Sequence, residues 1–550
     1  MVYQPSRRQV LAAAAGLAAL GLTGCGGDDE TSNAENLDAN RAGAMEKFAV
    51  GDQFKAAEAL SFSVMYSNHS NYPLKNDWLF WSELTKRTNV TLEPVAIPAS
   101  DYEQKRSVMI GAGDAPLIIP KTYHPAENAF VSSGAILPVS DYLDLMPHFK
   151  EKIEKWQLQP ELDTLRQADG KFYLLPGVHE KPWSDYSLVM RTDILKQLNL
   201  QVPKTWDEVH TVMKAMKQAY PASWPLSERF NKPRPGGNFF NILAASYGLV
   251  GAMWNYQHAT WNVEAQKYEY TGASDKYRQM LEYVAKLQAD GLIDPEAFTQ
   301  DEDLARQKFA NGKSFVISGN AQIVVNDYRP DLAKTNPAAT VAKIPLPVGP
   351  AGEINPSSRL ENGVMISKKA RDSKNFVAMM QFIDWLFYSD AGQEFARWGV
   401  EGVTHVKDAS GKFQLAPDVN MVGLNPKATK HLQKDFGFTN GVFTYGGKPE
   451  LVQAFFSAEE QEIQKIMGAR KSPEWVTPPP APFTDEEREM VTLWETPLQD
   501  YVFQQTIKFA LGQRPLSEWD AYVAELESKN MDQYMDMVQK ARERYQKEHG

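Results

Sequence analysis

The chain has 550 residues, 43% of them hydrophobic and 11% aromatic, and carries a formal charge of −11. A chain of that size can bury a large core divided over more than one lobe. Its acidic balance argues against a nucleic-acid partner and supplies no electrostatic reason for membrane attachment.

At the N-terminus, Arg7 and Arg8 precede a short apolar stretch from Val10 to Leu22, which runs into Leu22-Thr23-Gly24-Cys25. Residues 1–24 therefore read as a signal peptide, too short to span a bilayer. Cys25, the only cysteine, ends the pattern at which a bacterial signal peptidase cuts and a lipid is attached. Lipidation there implies an extracytoplasmic protein anchored to the cell membrane. Ser6 to Leu11 also resembles a twin-arginine export signal, although paired arginines occur in ordinary signals, so both export routes stay open. With its only thiol acylated, the mature chain has no disulfide, no thiol catalysis and no thiolate metal site. Cleavage removes two arginines and no acid, leaving the mature chain more negative still.

Residues 25–57 are small, polar and acidic at their start (Gly26-Gly27-Asp28-Asp29-Glu30) and lack apolar periodicity, which predicts a flexible linker. A calcium loop would need alternating ligands and a glycine at the turn, and that pattern is missing. No cofactor is expected.

Globular patterning begins with the alternating strand Leu60–Tyr66, followed by a polar loop and a helix through Trp78, Trp81 and Leu84. Val90–Val95 is the next strand, Asp101–Gly111 an amphipathic helix and Pro116–Ile119 a buried strand. This β-α-β-α-β order is the unit of a parallel sheet. A second series has strands at Ser187–Arg191, Gly312–Ile317 and Ala342–Leu346, and a helix opened by a capping box at Thr205 and Glu208. Helices are expected at Lys374–Tyr388 and Gly392–Trp398, with Trp206, Trp385 and Trp398 on apolar, core-facing stripes. A proline-rich loop between Ser472 and Pro482 precedes a helical C-terminal region. The predicted fold class is α/β with two lobes.

Several segments, in order, resemble the lipid-anchored oligosaccharide-binding subgroup of family 1 extracellular solute-binding proteins, which serve ABC importers. They are Trp81–Glu93, Asp101–Lys105, Gly111–Ile119, Asp169–Pro176, Arg191–Leu200, Pro203–Val209, Gly399–His405 and Gly512–Asp520. The resemblance covers nearly all of residues 58–550. It implies a periplasmic-binding-protein-like fold with hinge crossings and a ligand cleft between lobes. Lobe 1 would comprise 58–182 and 346–404, and lobe 2 would comprise 187–343 and 406–550. It also implies an oligosaccharide ligand, ABC permease subunits as partners, and a monomer.

Sugars present apolar C–H faces rimmed by hydroxyls, so their sites need aromatic planes and paired donors and acceptors. With 13 Trp and 22 Tyr the chain is rich in such side chains. Ligands of open α/β sheets bind beyond the C-terminal ends of strands. That placement selects Tyr66 and Asn68 after the first strand, with His69 beside them, and Lys121 and Tyr123 after the third, next to His124. It also selects Trp183 near the hinge, beside Tyr186; Asn238 and Phe239 before a helix; Asn320 after the 312–317 strand; and Arg359 and Glu361 at a crossing. Glu401 falls near the last crossing, where holding a backbone turn is its simpler role. Trp183 equally suits hinge packing, Phe239 a helix staple, and His69 and His124 the surface. Lys121 and Arg359, as cleft cations, would suit a uronate-bearing oligosaccharide.

The resemblance points to a receptor that is not an enzyme. A lipid-anchored polysaccharide hydrolase or lyase is the alternative from another class, because a carboxylate pair can be assembled from scattered acids. Against it, the chain has no His-Glu-x-x-His, no Gly-x-Ser-x-Gly and no phosphate-cradling glycine loop. A peptide or other nutrient receptor of the same fold would differ only in cleft chemistry.

Overall fold

The computed structural model describes residues 36–229, 234–356, 358–470 and 477–549. Cys25, the signal peptide and residues 472–476 of the proline-rich loop lie outside the described residues. Contacts divide the chain at residue 39, and Asn40–Gly550 forms one compact unit. Among the described residues no helix is long and apolar enough to cross a membrane.

Two sheets organise that unit. The first contains β1 (Leu60–Asn68), β2 (Val90–Pro98), β3 (Ile118–Thr122), β4 (Leu175–Val178) and, from much later in the chain, β10 (Leu360–Ile366) in the order β2-β1-β3-β10-β4. β1 pairs in parallel with β2 and β3, as the β-α-β-α-β pattern requires, and β10 runs antiparallel to both β3 and β4. The ends of β1, β3 and β4 and the start of β10 consequently share one edge.

The second sheet has β5 (Ser187–Arg191) at its centre, and a separate hairpin supplies β6 (Ala259–Asn262) and β7 (Lys267–Tyr270). β8 (Val316–Gly319) and β9 (Val341–Lys343) flank β5 antiparallel to it. Their ends, Gly319 and Lys343, lie beside the start of β5. The helix Trp206–Ala219 is capped by Thr205, whose side chain accepts from Glu208 N. Glu208 closes back on Lys204 N (2.6 Å) instead of on Thr205, so the expected box is shifted by one residue.

Packing corrects three boundary expectations. Residues 40–57 are bound to the unit and are not a free linker. Asn40 Nδ2 donates to the carbonyls of Arg371 (3.0 Å) and Ser373 (2.8 Å), Met45 N donates to Gln381 Oε1 (2.9 Å), and Gly51 N donates to His148 Nε2 (3.0 Å). Phe54 is fully buried against Phe48 and Phe382. Three aromatic or apolar anchors (Phe48, Phe54, Ala56) spaced among polar residues suffice to dock the segment without any periodic element.

Residues 405–455 pack on the first sheet's helices, where the sequence reading put them with the second lobe. Phe443 stacks on Phe80 (5.1 Å, 13°), Phe455 on Trp398 (4.1 Å), and Phe438 meets Phe395 edge-on. Conversely Ile344, Leu346 and Ile354 join the core built around β5 and the C-terminal helices, not the first sheet. Trp206, Trp385 and Trp398 are buried as expected, and the helix Phe376–Tyr388 is buried on all sides, which is why its sequence is apolar throughout.

Candidate functional site

The segment 179–186 carries the chain from β4 of the first sheet to β5 of the second. Ser184 and Asp185 sit between them and are held by a buried knot. Lys343 Nζ donates to Glu460 Oε1 (2.6 Å), Asp185 O (2.8 Å) and Ser184 O (3.2 Å). Gln464 accepts from Ser184 N (2.9 Å) and donates to Glu460 Oε1 (2.7 Å). The ends of β9, of the 179–187 segment and of the segment leading into the helix Ala458–Ala469 are thus tied at one point.

On the first sheet's edge, Lys121 adopts a left-handed backbone (φ 60°) that turns the chain out of β3. Its amide donates to Tyr445 OH (2.9 Å), and its Nζ lies 5.7 Å from the Tyr123 ring. Burial opposes the Lys121 charge, but Tyr123, Tyr72 and Glu361 outweigh it and raise the ammonium's affinity for its proton. Glu361 lies across Gly177, where any Cβ would strike its Cγ at 2.6 Å. Its Oε1 accepts from Gly446 N (2.7 Å) and its Oε2 pairs with His179 Nε2 (3.0 Å). Burial pushes the Glu361 carboxyl up, while His179, the Gly446 amide and Arg397 bring it below its ordinary range.

On the facing edge, Asn320 caps the turn after β8 by accepting from Ile323 N (3.0 Å) and lies beside Asp185, whose charged form it favours. Burial raises the Asp185 carboxyl to about 6, against the pull of Lys343, with Glu460 and Glu361 adding to the rise and Asn320 resisting it. Tyr186 packs edge-on against Trp254 (5.3 Å) and shares a field with Tyr123 from the other sheet. Tyr123 is 49% exposed, an open aromatic plane beside this polar cluster.

Of the residues selected from sequence, Lys121, Tyr123, Glu361 and Asn320 come together here. Others have different places. Tyr66 is fully buried, donates its hydroxyl to Tyr72 O (2.8 Å) and packs on Trp78 and Phe443, which makes it a core residue and corrects its selection. Phe239 is buried against Trp206 and Phe240. Arg359 is spent on Glu161, to which its Nε donates (2.6 Å), and on the carbonyls of Trp156 and Gln157. Asn68 is exposed and accepts from Leu74 N, and His69 stacks on Tyr72. Trp183 packs between His179 and Phe456, at the hinge. His124 pairs with Glu127 (2.5 Å), and Glu401 is exposed in a turn. Asn238 is wholly buried with neither amide atom hydrogen-bonded.

Sequence reasoning passed over Asp185, Tyr72 and Trp254. Asp185 carried a signal, an acid between two aromatics (Trp183-Ser184-Asp185-Tyr186) where the chain leaves the first sheet. Tyr72 had none, because it reaches the edge through a loop.

Two sheets joined by repeated crossings, with aromatic and polar side chains gathered where their edges meet, define a two-lobed, hinged solute-binding protein. The chain belongs to the family of bacterial extracellular solute-binding proteins, whose sequence profile matches residues 75–394. It is 23% identical over 504 residues to the fructooligosaccharide ABC transporter substrate-binding protein FusA of Streptococcus pneumoniae, covering 86% of this chain and 88% of that one. It is 24% identical over 341 residues to the polygalacturonan/rhamnogalacturonan-binding protein YtcQ of Bacillus subtilis, covering 60% and 64% of the two chains. The alginate-binding protein AlgQ2, in a crystal structure without calcium ion, shares the fold with a TM-score of 0.65 at 21% identity, over 89% of this chain and 99% of that one.

Proposed function

We propose that the protein captures an oligosaccharide in the cleft between its lobes and hands it, uncleaved, to an ABC permease, while a lipid on Cys25 holds it at the cell membrane as a monomer. Lobe 1 would be residues 40–182 with about 358–456, and lobe 2 about 184–354 with 458–549. The observation that carries this reading is the half-exposed Tyr123 plane beside Lys121, Glu361, Asp185 and Asn320, a ring face and a hydroxyl-pairing rim at the meeting of two hinged sheets. FusA and YtcQ, both named for carbohydrate ligands, support the ligand class.

The charge pattern favours a neutral sugar. Arg359, one of the two cations that would have greeted a uronate, is neutralised by Glu161. Lys121 has Glu361 as counter-charge, and Asp185 adds a second carboxylate. A uronate would meet two acids and one matched cation. Calorimetric titration with neutral oligosaccharides and with oligogalacturonates, at low and at high salt, tests the reading. Neutral sugars should bind with little salt dependence and without appearance of shorter products. Tighter, salt-sensitive uronate binding, or bond cleavage, would refute it.

A further inference from the structure

A basic surface surrounds Asn40, the first residue of the compact unit. Asn40 is fixed to the carbonyls of Arg371 and Ser373, and Ala42 N donates to Lys374 O (2.9 Å). These bonds bring Arg41 beside the turn Lys368–Asp372 and the Lys374 that follows it. Residues 368–374 carry four cations and one acid in a chain of net charge −11. Arg41, Lys368, Lys369 and Lys374 are exposed, and none of them forms an ion pair among the described residues. Exposed lysines elsewhere, such as Lys47, Lys105 and Lys427, also lack an ion pair among the described residues, so what sets this group apart is its clustering.

Its position in the fold is as telling as its charge. β10 starts at the cleft edge, where Glu361 pairs with Gly177, and runs to Ile366, opposite Ile118 at the start of β3. Lys368 follows directly, so the basic turn lies at the end of the first sheet opposite the cleft. A lipid on Cys25, the reading on which this inference rests, holds Asn40 within about 50 Å of the bilayer, since a chain extends at most about 3.5 Å per residue. That reach by itself sets no orientation of the compact unit on the membrane. Near an anionic surface the acidic remainder of the protein is repelled, and within a screening length of about 8 Å the unmatched cations are attracted.

We propose that Arg41, Lys368, Lys369 and Lys374 form a docking patch for anionic lipid headgroups, which seats the far end of the first lobe on the membrane and turns the cleft outward for capture. Delivery then requires the molecule to lift from this seat.

Vesicle binding by the chain from residue 25 onward, which contains the whole compact unit, tests the patch; Cys25→Ser removes any acyl contribution. Pure phosphatidylglycerol vesicles at about 0.01 M salt should bind it, phosphatidylcholine vesicles should not, and binding should fall as salt rises to about 0.15 M. The triple variant Lys368→Ala/Lys369→Ala/Lys374→Ala should keep its thermal midpoint and lose about 100-fold in vesicle affinity, about fivefold per cation. Equal binding to the two lipids, or an unchanged triple variant, overturns the proposal. So does a triple variant that binds vesicles normally yet fails in solute uptake, which would assign the patch to a protein partner. The anchor is read separately by mass spectrometry of the N-terminal peptide from membrane-extracted protein; an unacylated Cys25 would sink the anchor and leave the vesicle result standing.

Discussion

Replacing Lys343 by alanine should destabilise the protein far more than its single side chain suggests. The ammonium is almost entirely buried (2% exposed), as is its partner Glu460 (4%), and it also donates to the carbonyls of Ser184 and Asp185. In Lys343→Ala the Glu460 carboxylate stays buried with only Gln464 to donate to it, and two buried carbonyls lose a charged donor. Removing one member of such a pair costs about 3–5 kcal/mol. Replacing both members by apolar residues of similar volume, Lys343→Met with Glu460→Leu, removes the stranded charge and should return to within about 2 kcal/mol of the parent. Urea unfolding of the parent, Lys343→Met, Glu460→Leu and the double variant closes a double-mutant cycle. The expected coupling is about 4 kcal/mol or more, because two single losses of about 3–5 kcal/mol each give way to about 2 kcal/mol in the double variant. Additive single effects, or a Lys343→Ala loss below about 1 kcal/mol, would show that the knot does not hold the hinge.

Asp185 should make stability fall as pH rises. Its folded carboxyl titrates at about 6, above the ordinary aspartate value of 3.8, so between these values the folded state binds the extra proton and deprotonation weakens it. Asp185→Asn should therefore stabilise the protein at pH 7 by up to about 3 kcal/mol and flatten the fall seen between pH 4 and 7; denaturation at stepped pH checks both. Tyr123→Ala should weaken ligand about tenfold in calorimetry with an unchanged thermal midpoint, because the ring is half exposed. Tyr66→Phe should do the reverse, costing about 1 kcal/mol of stability for the lost bond to Tyr72 O while affinity holds. Asn40→Ala removes two donated bonds and one accepted from Arg371 Nη1 (2.8 Å), and amide exchange should then quicken across residues 42–54.

Alternating or continuous apolar strands such as 60–68 and 187–191 were legible in the sequence, and so was the two-lobed class, because the β-α-β period and the ordered family segments both report backbone pattern. What escaped had no period to report. The 40–57 segment docks through isolated anchors and through side chain to backbone bonds that involve Asn40, Gln381 and His148 and span 331, 336 and 97 positions of sequence. The 405–455 stretch has short, irregular elements whose partners, Phe80, Phe395 and Trp398, are set by tertiary packing alone. Selection by strand end picked Lys121, Tyr123 and Asn320, which lie together in the structure, since that rule follows from sheet geometry, and selection at a crossing picked Glu361 beside them. It erred at Tyr66 because the last inward-facing residue of a strand is still in the core, and at Arg359 because a cation at a crossing had an acid, Glu161, waiting on a helix turn that sequence spacing does not place there.

Moving 405–455 to the first sheet changes how closure works. Tyr445 accepts from the Lys121 amide and Gly446 donates to Glu361, so the cleft edge of the first lobe is braced by the chain's last pass before the hinge. Any Cβ on Gly446 would lie 2.1 Å from Val178 O, which fixes that pass against β4. On the proposed two-lobe reading, rotation about the Lys343–Glu460–Ser184 knot would move two braced edges as rigid bodies, and the electrostatic interactions between them, Tyr123 with Tyr186 and Glu361 with Asp185, would change. The second of these sets two acids against each other. A ligand that places hydroxyl donors between Glu361 and Asp185 relieves that repulsion only when the lobes are together, which is the differential affinity that closure on a sugar requires.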